Sequence, residues 1–222
     1  MSLTYPEFVE NPESRCPVVL VLDVSKSMEG PPLEALNDAL ATFKYDVEQD
    51  EMAAIRVEVA IITFGGEVKL IQDFVTMDHF TAPVLEHYWN TPMGSALDMA
   101  LDKVEERKLA YKDHGIPYYR PWVFLITDGT PTDGEKWKEV AFKVREAEER
   151  NKLSFFAVGV GEADLKVLKQ IAPSNRPPML LNDLNFKELF LWLSASMRRV
   201  STGQVGEVLC LPPVDGWAKI AS

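Results

Sequence analysis

Five side chains with oxygen donors are the residues of this sequence best suited to act together on one ligand. Asp23, Ser25 and Ser27 form an alternating Asp-x-Ser-x-Ser pattern, and Thr91 and Asp128 follow later in the chain. Alternate residues of an extended turn point to one side, so the first three side chains can face a common ligand. Carboxylate and hydroxyl oxygens favour Mg²⁺, Mn²⁺ or Ca²⁺ over zinc or copper. The pattern therefore indicates a divalent cation site.

Short apolar runs alternate with amphipathic stretches along most of the chain. The sequence predicts strands over residues 18–22, 55–64, 68–74, 122–127, 153–160 and 178–181, and helices over residues 31–47, 94–111, 137–150, 163–171 and 186–200. This alternation predicts an α/β fold, a doubly wound and mostly parallel six-stranded sheet with helices on both faces. The short link between the second and third strands makes the third an antiparallel edge strand.

The predicted topology explains how distant residues could meet. Doubly wound sheets bind ligands beyond the carboxyl ends of their strands, where the strand order reverses. In the common order 3-2-1-4-5-6, that point lies between the first and fourth strands. Asp23 ends the first strand, Asp128 follows the fourth, and Thr91 precedes a helix on the same edge. We therefore expect these side chains to share one crevice.

Three segments of the sequence resemble the metal-ion-dependent adhesion site (MIDAS) of von Willebrand factor A (VWA) domains, which are Rossmann-like. They are the DVSKS segment at 23–27, the TPMGSAL segment at 91–97 and the ITDG strand end at 126–129. The resemblance covers about residues 15–200. It implies that the ion is Mg²⁺ in preference to the other two and that Ser25 and Ser27 bind it directly. It also implies that Thr91, Asp23 and Asp128 bind directly or through water.

The resemblance implies that the ion binds an Asp or Glu of a partner protein and that the chain is not an enzyme. More narrowly, the chain resembles the bacterial TerY/YegL type of VWA protein, linked with tellurium-resistance and stress clusters near a kinase and a phosphatase. Two alternatives stay open. A phosphatase could use Asp23 as its nucleophile, although Ser25 replaces the second carboxylate expected there. The chain could also be a scaffold with a vestigial metal site.

The sequence departs from the family pattern beside two of the proposed ligands. Lys26 stands where the family often has glycine, and Trp89-Asn90 precedes Thr91 where glycines are common. A lysine beside a cation site would weaken metal binding, so we expect its side chain to point away. Trp89 could contact a partner or pack within the loop. Asp133 is expected to cap a helix rather than bind the metal.

Charge and composition limit the remaining possibilities. The 222 residues carry a net charge of −11, which disfavours nucleic acids and anionic membranes as partners. The N-terminal residues lack the cationic start and apolar run of a secretory signal. Cys16 and Cys210 fit reduced thiols, and spacing does not decide whether they pair. We expect a cytoplasmic monomer with an N-terminal extension (1–16), a VWA domain (17–200) and an extended C-terminal tail (201–222).

Overall fold

The computed structural model describes residues 5–207 and 210–221, so residues 1–4, 208–209 and 222 of the predicted extensions lie outside it. The strands are β1 (Cys16–Asp23), β2 (Val57–Gly65), β3 (Glu67–Thr76), β4 (Trp122–Thr127), β5 (Ser154–Gly159), β6 (Met179–Leu181) and β7 (Ala218–Ile220). The α-helices are α1 (Pro6–Glu10), α2 (Pro31–Glu48), α3 (Glu51–Arg56), α4 (Met93–His114), α5 (Lys136–Glu149), α6 (Leu165–Ile171) and α7 (Phe186–Thr202). A short 3₁₀ helix covers Lys26–Met28.

One sheet contains all of these strands in the order β3-β2-β1-β4-β5-β6-β7. Strands β2, β1, β4, β5 and β6 are parallel, and β3 and β7 are antiparallel to their neighbours. The predicted fold class and the antiparallel edge strand β3 are confirmed. The sheet has seven strands rather than the predicted six because Ala218–Ile220 pairs with β6.

Continuous apolar runs form the central strands because helices cover both faces of the sheet. Every residue of β1, β2, β4 and β5 is buried, as expected of strands between two helical layers. Leu20 of β1 faces a core shared with α2 and α7, and Val21 faces a core shared with α4 and α5. Within the described residues, no helix combines the length and apolar character needed to cross a membrane.

The C-terminal tail packs against the domain instead of extending away from it. Trp217 is only 3% exposed, and its ring centroid lies 5.5 Å from that of Trp192 in α7. The Trp192 indole donates a hydrogen bond to the Pro212 carbonyl at 2.8 Å. Together with the pairing of β7, these contacts attach the tail to both α7 and the sheet.

The structure also contains two short helices that the sequence did not predict. Asp50 caps α3 by accepting hydrogen bonds from the Met52 and Ala53 amides. Helix α1 lies near the N-terminal end of β1, at the other end of that strand from Asp23. Arg15, which lies between α1 and β1 in the chain, forms a buried ion pair with Glu58 at 2.8 Å. The predicted N-terminal extension therefore includes a helix.

Candidate metal site

The floor of the candidate site is the end of β1. Asp23 is the last residue of the strand and is fully buried. One carboxylate oxygen accepts a hydrogen bond from the Ser25 amide at 2.8 Å, and the other accepts one from the Thr127 hydroxyl. These bonds fix the Asp23 carboxylate between the ends of β1 and β4.

Two serines connect this floor to the loop after β4. The Ser25 and Ser27 hydroxyl oxygens lie 3.2 Å apart. Ser27 donates a hydrogen bond to the Asp128 carboxylate at 2.8 Å. The loops meet because β1 and β4 are neighbouring parallel strands, as the predicted strand order requires.

Thr91 brings the third loop to the same place. A side-chain Cβ at Gly129 would lie 3.3 Å from both the Thr91 hydroxyl oxygen and an Asp23 carboxylate oxygen. Glycine at this position therefore leaves open the space between the two side chains. Thr91 is 7% exposed and lies beside the cleft, so the structure brings all five predicted residues together.

A clamp formed by Thr132 and Asp133 positions the Thr91 loop, and the sequence did not predict the part played by Thr132. The Thr132 hydroxyl accepts a hydrogen bond from the Thr91 amide at 3.0 Å, and the Thr132 amide donates to the Thr91 carbonyl at 2.9 Å. Asp133 accepts bonds from the amide and hydroxyl of Ser95, at 2.8 and 3.2 Å. Asp133 thus caps α4, and the clamp fixes Thr91 against the loop that carries Asp128.

The two carboxylates lie in surroundings that disfavour their ionised form. Burial raises the pKa of Asp23 to about 6, against hydrogen bonds from Ser25 and Thr127 that lower it, and the nearby Asp128 charge raises it further. Burial also raises the pKa of Asp128, partly offset by its hydrogen bond from Ser27. Neither carboxylate forms an ion pair with any Lys, Arg or His that the structure describes. A bound divalent cation would supply the missing positive charge.

The donor set suits a hard cation bound partly by water. Across residues 5–207 and 210–221, no three His, Cys, Asp or Glu side chains group in a way that could hold a metal. This cleft has only two carboxylates, and its other three donors are hydroxyls. Mg²⁺ is commonly bound by one or two carboxylates and keeps several waters. The residues present therefore fit such an ion.

Lys26 points towards Trp89 at the edge of the cleft. Its ammonium nitrogen lies 4.0 Å from the centroid of the Trp89 ring. Trp89 itself is 74% exposed, so it belongs to the rim and not to the interior of the loop. The expected orientation of Lys26, away from the carboxylates, agrees with this contact.

Comparisons with known proteins agree with this architecture. The model of the von Willebrand factor type A domain family matches residues 18–191. Proximal thread matrix protein 1 from the mussel byssus, solved with a zinc-occupied MIDAS motif, is 16% identical with a TM-score of 0.54. Manganese-loaded TRAP protein from Plasmodium vivax is 17% identical with a TM-score of 0.55. The vWF domain of the pilus tip protein Mfa5 from Porphyromonas gingivalis is 14% identical with a TM-score of 0.59.

These matches cover most of the present chain but different shares of the other proteins. They include 84%, 82% and 89% of this chain and, in the same order, 48%, 73% and 99% of the mussel, Plasmodium and Porphyromonas chains. The chain thus spans about half the length of the mussel protein. At these identities the structural matches show a common fold, and the family model covers most of the sequence. The chain belongs to the von Willebrand factor type A domain family.

Proposed function

We propose that this protein is a metal-ion-dependent interaction module that binds an Asp or Glu side chain of a partner protein. The ion is Mg²⁺, with Mn²⁺ or Ca²⁺ as possible substitutes. Its proposed ligands are Asp23, Ser25, Ser27, Thr91 and Asp128. The observation that carries the proposal is that these oxygen donors, from three separate loops, converge where β1 and β4 end.

The burial of these residues gives the cleft a closed side and an open side. Asp23 is fully buried at the base, whereas Ser27 is exposed and Asp128 is half-buried. The side of Ser27 and Asp128 is therefore open to a partner. The bound ion would supply the positive charge that attracts a partner carboxylate, and the five side chains would hold the ion in place.

The residue two positions after Asp23 favours this role over that of a phosphatase. Ser25 stands where the phosphatase resemblance expects a second carboxylate, and its amide donates a hydrogen bond to Asp23. A hydroxyl cannot replace a carboxylate as the general acid or base of such a reaction. The vestigial-site alternative makes a different prediction, because a scaffold would take up no metal in a calorimetric titration with Mg²⁺ or Mn²⁺.

Our proposal extends to the cellular setting. We place the protein in the cytoplasm as a monomer, in a bacterial stress or tellurium-resistance system of the TerY/YegL type with kinase and phosphatase signalling. Support for a reducing compartment comes from Cys16 and Cys210, which are both free thiols. Support for the subtype comes from the sequence resemblance.

A pull-down with a matched variant tests the proposed function. The wild-type protein should take up one Mg²⁺ and retain a set of partners that EDTA releases. Asp128→Ala should lose both properties, because it removes one of two carboxylate ligands. Asp38→Ala, an exposed aspartate of α2, should keep both. Recovery of the same partners by EDTA-treated protein would contradict the proposal.

A further inference from the structure

Lys26 is an unexpected residue to find between two proposed metal ligands, Ser25 and Ser27. Its positive charge opposes cation binding unless the ammonium is held away from the cleft. The contact with Trp89 does this, because a cation is attracted to the face of an indole ring. In the structure, the Lys26 charge therefore lies over the Trp89 ring.

Most of the Trp89 side chain is exposed, but hydrogen bonds hold the backbone on both sides of this residue. The amide of the preceding residue, Tyr88, donates to the Val24 carbonyl at 2.7 Å. The carbonyl of the following residue, Asn90, accepts from the Gly66 amide at 3.1 Å. These bonds tie the Trp89 backbone to the end of β1 and to the β2–β3 turn. The lysine and the ring thus form a preorganised surface beside the metal cleft.

The charge of Lys26 is available to a ligand. No carboxylate in the described part of the chain lies within ion-pair distance of its ammonium, although the protein has a net charge of −11. A second lysine that lies over an aromatic ring of the same loop differs in this respect. Lys69 lies over the Tyr88 ring at 4.6 Å, but its ammonium is also 3.9 Å from a Glu67 carboxylate oxygen.

We infer that Lys26, held on Trp89, is a second contact for the partner and binds a carboxylate close in sequence to the one that binds the metal ion. This inference rests on the proposed function and specifies the partner segment. That segment carries two nearby acidic residues, one for the ion and one for Lys26. A segment with a single acidic residue would make only the metal contact.

Synthetic peptides can test the inference without a known partner. The probes are capped glycine peptides that carry one glutamate, or two glutamates separated by zero, one or two glycines. Their affinities are measured by NMR titration at saturating Mg²⁺. We expect the best two-glutamate peptide to bind the wild-type protein about three- to fivefold more tightly than the one-glutamate peptide, the effect of one exposed ion pair.

Substitutions at Lys26 should change peptide and metal affinity in opposite directions. Lys26→Met should reduce the preference for two glutamates to about twofold, the statistical advantage of two carboxylates that can each reach the ion. The variant should also bind Mg²⁺ about twofold more tightly, because a nearby positive charge is gone. Lys26→Arg should keep the preference, since arginine retains both the charge and the ring contact. The control, Lys69→Met, removes the lysine that lies over Tyr88 and should behave as the wild type.

Different outcomes test the inference and the proposed function. Equal affinity of the wild-type protein for all peptides, or a preference just as large in Lys26→Met as in the wild type, would overturn the role of Lys26 alone. Peptides that bind equally well in EDTA, or that do not bind the Mg²⁺-loaded protein at all, would contradict the proposed function itself.

Discussion

The metal-free protein offers a test of how Asp23 is placed, because a buried carboxylate is costly to ionise without a cation. Burial raises its pKa from the ordinary 3.8 to about 6. Between about pH 4 and pH 6, the folded metal-free protein therefore binds more protons at this group than the unfolded chain does. The contribution of Asp23 to stability falls as the pH rises through this window. At about 1.4 kcal/mol per pH unit, the loss at neutral pH is about 3 kcal/mol.

The substitution Asp23→Asn removes this charge while nearly preserving the side-chain shape. It also removes the acceptor for the Thr127 hydroxyl, which costs about 1 kcal/mol. Without metal at pH 7.5, we therefore expect the variant to be about 2 kcal/mol more stable than the wild type. At about pH 4 and below, the gain should give way to a loss of up to about 1 kcal/mol, because the burial penalty of the wild-type carboxylate is then mostly gone and the lost Thr127 hydrogen bond remains. Excess Mg²⁺ should stabilise the wild type and leave the variant unchanged.

The assay is urea unfolding in EDTA and in excess Mg²⁺, at pH 4 and pH 7.5. The difference between the wild type and Asp23→Asn isolates this group from the other carboxylates. Asp38→Asn serves as the control, because an exposed carboxylate should give nearly equal stabilities. A variant less stable than the wild type in EDTA at pH 7.5 would refute the reasoning about burial. Equal stabilisation of both proteins by Mg²⁺ would refute the assignment of Asp23 as a ligand.

Three further predictions concern the clamp, the tail and the thiols. Thr132→Val should weaken Mg²⁺ binding about tenfold, as measured by calorimetry, whereas Thr130→Val, a substitution at an exposed neighbour, should not weaken it. Equal Mg²⁺ affinities of Thr132→Val and the wild type would rule out a positioning role for Thr132. Trp217→Ala should lower the free energy of unfolding by about 3 kcal/mol, and a loss below about 1 kcal/mol would show that the tail is dispensable. A thiol reagent should label the exposed Cys210 quickly and spare Cys16, because burial raises the pKa of the Cys16 thiol. Rapid labelling of both cysteines would contradict the burial of Cys16.

The convergence of Asp23 and Asp128 could be predicted because it depends on features that local sequence records. Each follows an apolar run long enough for a buried strand, and the order of strands and helices then places both ends at one edge. Thr91 could be placed in the same way, since it stands just before a long helix, α4. The metal roles of these residues stay predictions until an ion is observed.

The features that the sequence does not predict depend on short segments or on distant contacts. Helix α3 spans only Glu51–Arg56, too short for helical periodicity to show, and its cap is the single residue Asp50. Strand β7 contains three residues and forms through pairing with β6, which no local pattern indicates. The position of Trp89 was left open because it is set by hydrogen bonds of its neighbours to Val24 and Gly66, far away in the sequence.

The central claim is that one divalent cation binds where the loops after β1 and β4 meet the Thr91 loop. Its most direct test is anomalous diffraction from crystals grown with Mn²⁺, recorded near the manganese absorption edge. We predict a single strong anomalous peak between Asp23, Ser25, Ser27, Thr91 and Asp128, with a remaining coordination position open to water or to a neighbouring carboxylate. A map with no peak in this cleft at saturating Mn²⁺, or with the ion bound only elsewhere, would contradict the account.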